Sequence, residues 1–313
     1  MKNPELMFSA IEIGGTKLQI VTGDASGRIT HRARYQIDSQ LGGEGIRAQI
    51  AQALPELIAT HRPAAIGVGF GGPVEGATGK ICCSHQVAGW HDFPLGDWVR
   101  KESGLPVVVE NDSNCATLGE AVCGAGKGLN PVFYFNMGSG VGGGLAVNGR
   151  IYHGICPGEV EFGHLQLDRL GTIVEECCSG WAVDRKIRSL QETDPTSLLS
   201  RMIGEKHGGE ARHLAAALSQ GDAAAKRILA EVAADLGYAL SHVVHLFHPA
   251  VLVMGGGLAQ VGEPLRAAVA AALEPHVMEA FLPPPPLRLA GLGEDAVPVG
   301  ALLLAAQSLQ NPA

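Results

Sequence analysis

The sequence predicts an α/β fold divided into two lobes, and three observations carry that expectation. At 313 residues the chain is longer than a single hydrophobic core usually spans, so two lobes around a cleft are the default. Short strand-like runs alternate with stretches of helical apolar spacing from one end to the other. Glycine-rich turns follow strand-like runs at three places, one near the start and two further along.

Residues 8–13 and 18–23 read as two strands joined by a tight turn at Gly14-Gly15-Thr16, where glycine permits positive φ. Within 45–60, Ile46, Ile50, Leu54 and Leu57 recur at helical spacing, with a kink expected at Pro55; 65–70 then reads as a buried strand. A helix is expected at 95–102 and a strand at 106–109 that runs straight into Glu110-Asn111-Asp112. An acid thus stands just beyond a strand's C-terminal end, where open α/β sheets place ligands. A second glycine hairpin follows, with strands at 132–136 and 144–147 around Gly138-Ser139-Gly140-Val141-Gly142-Gly143.

The spacing predicts one helix over 214–248, a strand at 251–254, and Gly255-Gly256-Gly257 leading into a helix. Four prolines at 283–286 break regularity and mark an expected crossing between lobes, and 299–307 closes the chain as an Ala- and Leu-rich helix. Residues 1–115, joined by the C-terminal helix at about 297–313, are expected to form the smaller lobe, and 116–296 the larger.

Hydrophobic residues make up 46% of the chain and charged residues 17%, a globular composition. Lys and Arg number 23 against 31 for Asp and Glu, and the resulting charge of −8 has the wrong sign for a polyanion binder. Nucleic acid is therefore not an expected partner. Cysteines at 82, 83, 115, 123, 156, 177 and 178 are odd in number and lack paired CxxC spacing, which argues for a reducing compartment rather than a disulfide framework. The opening MKNPELMFSAIEIGG lacks the basic segment and apolar run of a secretory leader, and no stretch of about 18 uninterrupted apolar residues occurs. A cytoplasmic protein without a membrane partner is expected.

The turn Glu12-Ile13-Gly14-Gly15-Thr16-Lys17 lets backbone N–H groups, a hydroxyl and an ammonium approach phosphate oxygens, although Gly-Gly hairpins are also common structural turns. It is not a Walker loop, since G-x-x-x-x-G-K-[ST] is absent. Gly138 to Gly144 holds more glycine than an ordinary hairpin requires, a density that fits close backbone approach to a ligand. Gly255-Gly256-Gly257 reads as a platform for a flat base or ribose, or as a flexible turn. Asn111 and Asp112 could grip a polyol hydroxyl and draw off its proton, or Asp112 and Ser113 could instead cap the following helix; residue types alone leave both open. Glu161 and His164 stand three apart and could face one ligand.

Taken together and in order, these segments resemble the ROK family, which groups bacterial sugar kinases with sugar-responsive repressors. The resemblance rests on EIGGTK at 12–17, GFGGPVEGATG at 69–79, GW at 89–90, VVENDSNCATLGE at 108–120, GSGVGGG at 138–144, EFGH at 161–164 and MGGG at 254–257. It implies the two-lobed, actin-like and hexokinase-like fold with its active site between the lobes. It also implies ATP-dependent phosphorylation of a hydroxyl of a hexose or N-acyl hexosamine by a homodimer. Asp112 is then the general base, and Asn111, Glu161 and His164 bind other sugar hydroxyls. Gly14, Gly15, Thr16 and Lys17, with Gly138, Ser139 and Gly140, flank the ATP phosphates, while Gly255, Gly256 and Gly257 lie near the adenosine. Mg²⁺ is expected to bridge the phosphates.

The chain departs from the family pattern in three places. Glu12 stands where members commonly have an Asp that helps hold the metal, so the resemblance gives Glu12 the Mg²⁺ contact with one methylene more of reach. Many members carry a Cys-x-Cys-Gly-x-x-Gly-Cys zinc module after the Gly-His pair, followed by a sugar-binding Glu. Aligning SGWAV at 179–183 with the family's SGxAL puts Glu175 on that Glu and Ile173 on the last zinc cysteine, so no structural zinc is expected. Gln86 stands where relatives often have an Asn near the sugar. Two other functions fit the same resemblance: a repressor, disfavoured because only seven residues precede Phe8 and leave no room for a helix-turn-helix, and a sugar-binding sensor that has lost phosphoryl transfer.

Overall fold

The computed structural model describes residues 6–15, 17–84, 87–156, 158, 160–205 and 207–310, so Thr16 and Gln86 lie outside the described residues. The chain forms two compact units. One comprises the stretch up to Gly128, Leu145–Val160 and the stretch from Glu294 onward; the other comprises Leu129–Gly144 and Glu161–Gly293.

In chain order the first unit opens with β1 (Met7–Ile13), β2 (Lys17–Asp24), β3 (Ile29–Gln36), α1 (Gly42–His61) and β4 (Ile66–Phe70). A two-stranded ribbon of β5 (Val74–Glu75) and β6 (Lys80–Ile81) follows, then α2 (Leu95–Ser103), β7 (Val107–Asn111) and α3 (Asp112–Val122). The second unit holds β8 (Val132–Met137) and the start of β9 (Val141–Val147), whose end pairs with β10 (Arg150–Ile151) in the first. It continues through α4 (Val174–Cys178), α5 (Gly180–Thr193), α6 (Leu198–Met202), α7 (Leu214–Ser219), α8 (Ala223–Phe247), β11 (Val251–Gly255), α9 (Glu263–Leu273) and β12 (Leu287–Leu289). The chain closes with α10 (Ala296–Gln310), which belongs to the first unit.

The first unit's sheet runs β3-β2-β1-β4-β7, antiparallel among β1, β2 and β3 and parallel across β1, β4 and β7. Strand alternation sorts β1 onto two cores. Ile11 and Ile13 join Ile46, Ile50 and Leu54 of α1, while Phe8 and Ala10 join Ala301, Leu302 and Ala305 of α10. Burial on both faces explains why β1 and β4 read as nearly continuous apolar runs. Pro55 lies inside α1 without ending it, and the helix stops at Arg62 in the left-handed region. The first unit continues past residue 115, where the sequence reading divided the lobes, because α3 is one unbroken helix packed on α10.

That packing leaves no room for side chains at two positions. A Cβ on Gly300 of α10 would collide with the Cys115 carbonyl of α3, and one on Gly67 of β4 with the Ala301 carbonyl. Gly300→Ala is expected to lower unfolding free energy by about 2 kcal/mol or more, as overpacking of a dense core does. Denaturant titration checks this, and a change within about 0.5 kcal/mol would mean that α10 can shift away.

The second unit's sheet runs β9-β8-β11-β12, with β8, β11 and β12 parallel. Four details differ from the sequence reading. The expected helix over 214–248 is two, because Gly221 takes φ +80° and Asp222 caps α8 by accepting from Ala225 N–H at 2.7 Å. Val141, Gly142 and Gly143 are residues of β9 rather than of the turn. Gly257 leads first into a 3₁₀ turn, Leu258–Val261, before α9. The prolines at 283–286 precede β12 inside the second unit, and the chain passes to the first only at Glu294. Among the described residues no helix is long and apolar enough to cross a membrane.

Candidate active site

In the first unit the parallel strands β1, β4 and β7 bring three backbone ends together. Gly71, just after β4, donates its N–H to Ile13 O at 2.9 Å, and Gly14 donates to Lys17 O at 2.9 Å across the first glycine turn. A Cβ on Gly71 would stand 3.4 Å from Asp112 Oδ2 and 3.7 Å from the Gly14 Cα, so the carboxylate lies against backbone that carries no side chains. Asp112 is the first residue of α3. The cap is Asn111, whose Oδ1 accepts from Ser113 N–H at 2.8 Å and Asn114 N–H at 3.1 Å, while its Nδ2 donates to Gly72 O at 3.1 Å. Capping by Asn111 leaves Asp112 Oδ2 facing the glycines, and leaves Asn111 one further amide hydrogen for a ligand.

Loss of hydration raises the Asp112 carboxyl from 3.8 to about 6; the Ser113 N–H opposes this and the Glu12 charge adds to it. Glu12, at the end of β1, is itself raised by burial, against the opposing effects of Gln19 and Lys17. Gln19 Nε2 donates to Glu12 Oε2, and Lys17 Nζ lies 3.4 Å from the same oxygen. Gln19 Oε1 in turn accepts from Arg32 at 2.9 Å, and Arg32 pairs with Asp295 at 2.6 Å, so the acid's position is fixed by a chain of polar side chains.

Sequence reasoning missed Glu110, which is buried beside Asn111. Its carboxylate accepts from Asn111 N–H at 2.9 Å and from Asn114 Nδ2 at 3.0 Å, and meets His153 Nε2 at 2.6 Å. The strand-to-helix junction that presents Asp112 is thereby tied to a residue 43 positions away. Only the acidic character of VVVEND pointed to it.

In the second unit EFGH forms a 3₁₀ turn, Phe162–His164, with Glu161 before it. Phe162 is buried edge-on against Phe133 and tilted against Phe135, ring centres 5.7 and 5.5 Å apart. A Cβ on Gly163 would collide with Val141 O, so glycine lets the turn press against β9. Residues three apart eclipse in such a turn, and Glu161 and His164 are both exposed along it.

The second glycine turn is closed by Gly138 N–H donating to Gly140 O at 2.9 Å. Glu175, in the first turn of α4, accepts from Val141 N–H at 2.8 Å. Beside the turn lies a cavity of about 480 Å³ lined by Gly138, Ser139, Gly180, Trp181, Asp184, Arg212, Gly257, Leu258 and Gln260 among others. It brings the turn together with Gly257 of the glycine triplet. Gly255 and Gly256 serve the sheet instead: a Cβ on Gly255 would collide with Tyr134 Oη, and one on Gly256, at φ +85°, would stand 2.5 Å from Met137 N. Trp181, Asp184 and Arg212 went unnoticed in the sequence; of these, only Trp181 lay in a quoted motif.

The donor set after His164 does not fit a zinc ion. Gln166 bridges Ile173, Leu167 N–H donates to Thr172 O at 2.8 Å, and Asp168 Oδ1 accepts from Leu170 and Thr172 N–H at 2.7 and 3.2 Å, so a short hairpin closes on itself. Burial pushes the Cys178 thiol far up and the Cys177 thiol up, the opposite of what a thiolate ligand needs. Among the described residues no cluster of three His, Cys, Asp or Glu could hold a metal.

The family model described as "ROK family" matches residues 8–308. A glucokinase of Halalkalibacterium halodurans is 30% identical over 307 residues, covering 94% of this chain and 93% of that protein. The crystal structure of a ROK hexokinase from Thermus thermophilus superposes with TM-score 0.81 at 28% identity, over 97% of this chain and 99% of the other. A ROK family glucokinase from Streptomyces griseus, in complex with glucose and AMPPNP, gives TM-score 0.81 at 29% identity over 96% and 99%. The two folds match nearly end to end and the family match takes in every motif from EIGGTK to MGGG: the chain belongs to the ROK family and has the actin-like, hexokinase-like fold of its kinases.

Proposed function

We propose that the chain is a sugar kinase that transfers the γ-phosphoryl group of ATP to a hydroxyl of a hexose or N-acyl hexosamine, with Asp112 as general base. The observation that carries this reading is the Asp112 carboxyl, set among glycine backbones at the end of a parallel strand and raised to about 6. It is ionised at neutral pH and yet a stronger base than an exposed aspartate, which suits proton abstraction. As the sugar oxygen bonds to the γ-phosphorus, its proton passes to Asp112, and the bond to the bridging oxygen breaks with its electron pair leaving on ADP. Glu161 and His164, and the remaining amide hydrogen of Asn111, bind other hydroxyls of the sugar.

On the donor side, the turns Gly14 to Lys17 and Gly138 to Gly140 receive the phosphates, and the cavity lined by Gly257 and Trp181 receives the base. An Mg²⁺ ion bound with the nucleotide supplies charge neutralisation at the phosphate oxygens. Such an ion takes most of its ligands from phosphate and water, and Glu12, half-buried and within electrostatic reach of Asp112, would hold it. The Glu12 charge raises the proton affinity of Asp112, and such like-charge crowding favours a nearby cation. The glucokinase and hexokinase relatives support a sugar as acceptor, and the AMPPNP of the Streptomyces griseus structure supports ATP. All seven cysteines are free, which supports a cytoplasmic setting; the reading also includes a homodimer, checked by light scattering.

A coupled ADP-release assay with Mg-ATP over a panel of hexoses and hexosamines tests the reading. Sugar-dependent release is expected; sugar binding without turnover anywhere in the panel would leave a sensor. Trp181, 57% exposed and lining the donor cavity, is expected to stack on the base. Base–aromatic stacking is worth about 1–3 kcal/mol, so Trp181→Ala should raise the KM for ATP roughly five- to a hundred-fold, with Trp181→Phe close to the parent. An unchanged KM in the alanine variant would put the base elsewhere.

A further inference from the structure

We infer that His153 is a positioning residue for the base, acting through Glu110 on the strand-to-helix junction that carries Asp112. The inference rests on the kinase reading and deepens it. Glu110 is the last residue but one of β7, and its side chain is only 6% exposed. A carboxylate so buried needs donors, and three are present. Oε1 accepts from Asn111 N–H at 2.9 Å and from Asn114 Nδ2 at 3.0 Å, so one oxygen bridges the end of β7 to the first turn of α3. Asp112 lies between those two partners. The other oxygen, Oε2, meets His153 Nε2 at 2.6 Å. A carboxylate only accepts, so the imidazole carries its hydrogen on Nε2 and donates it.

His153 is itself held in place. It follows β10, which packs on α3, and Tyr152 N–H just before it donates to Leu145 O at 2.7 Å. The Gly158 backbone, at φ +83°, lies alongside the imidazole: a Cβ there would stand 3.5 Å from His153 Cβ and 3.7 Å from Cδ2. With a partner at each oxygen, the Glu110 carboxylate cannot turn about its terminal bond without losing a hydrogen bond. The Asn111 amide does not depend on this pair, since its bonds to Gly72 O, Ser113 N–H and Asn114 N–H involve neither residue. What the pair controls is the aim of Asp112, whose backbone sits between the two groups that Oε1 holds. A reacting group misplaced by about 1 Å can cost about a hundred-fold in rate.

Steady-state kinetics on the full chain, with sugar and AMPPNP affinities by calorimetry, test this. His153→Ala should lower kcat about ten- to a hundred-fold, with both dissociation constants within about three-fold of the parent. His153→Gln puts an amide donor near the same point and should recover most of kcat. The His153 side chain is 43% exposed, so free imidazole in the buffer should partly restore the alanine variant and leave the parent unchanged. His153→Ala and Glu110→Gln should be non-additive, the double variant being no worse than the more damaged single, as expected of residues acting through one contact. Weaker sugar binding with kcat unchanged would overturn the inference in favour of a role in binding. Equal loss of kcat, both affinities and melting temperature, relieved by neither glutamine nor imidazole, would overturn it in favour of a merely structural role. An active parent whose kcat is matched by His153→Ala overturns the inference alone; a parent that phosphorylates no sugar overturns the kinase reading and the inference with it.

Discussion

Asp112→Asn is expected to lower kcat by about two to four orders of magnitude, the usual contribution of a positioned general base, while sugar binding persists. The substitution suits the question because it keeps the shape of the side chain. An amide oxygen can still accept from Ser113 N–H, which now donates to Asp112 Oδ1 at 2.7 Å, and the helix cap is supplied by Asn111. The N-terminus of α3 should therefore stay folded, and melting temperature should show it. What the amide cannot do is take a proton at neutral pH. Sugar affinity by calorimetry and turnover by ADP release separate the two properties. Turnover within a few-fold of the parent would remove Asp112 from the chemistry, and lost sugar binding would make it a ligand first and a base second.

The parts legible in the sequence are those whose geometry is local. The hairpin of β1 and β2 and the run of β7 into Asp112 each depend on residues within a few positions of one another, and periodicity or turn chemistry reports such features. The helix break at Gly221 was hidden because alanine and leucine continue at helical spacing on both sides of it. The glycines at 142 and 143 read as turn, although strand neighbours rather than flexibility decide their state. Other features arise only from packing. Trp181 and Asp184 of α5 meet Arg212 and Gly257 in the donor cavity, and no spacing rule joins them. The same holds for Glu110 with His153, and for Glu175 with Val141, whose partnership depends on the missing side chain of Gly140.

The pH profile should carry the signature of the two acids at the ends of β1 and β7. Asp112 works as a base only when ionised, and burial together with the Glu12 charge raises its carboxyl to about 6. Below that pH the proton is already in place, so kcat/KM for the sugar should fall about tenfold per unit, reaching about a hundredfold loss two units below. Above it, the rate should be level until another group titrates. Glu12→Gln removes a negative charge that favours the protonated form of Asp112, so the acid limb should move to lower pH. At pH 5 the variant should then keep a larger share of its own plateau rate than the parent does. Glu12 is also the proposed Mg²⁺ anchor, so each profile is scaled to its own maximum, and the dependence on Mg²⁺ is measured separately at the plateau. A limb that stays in place would show that burial alone sets the base; a limb absent from the parent would show that proton transfer to Asp112 does not govern the rate.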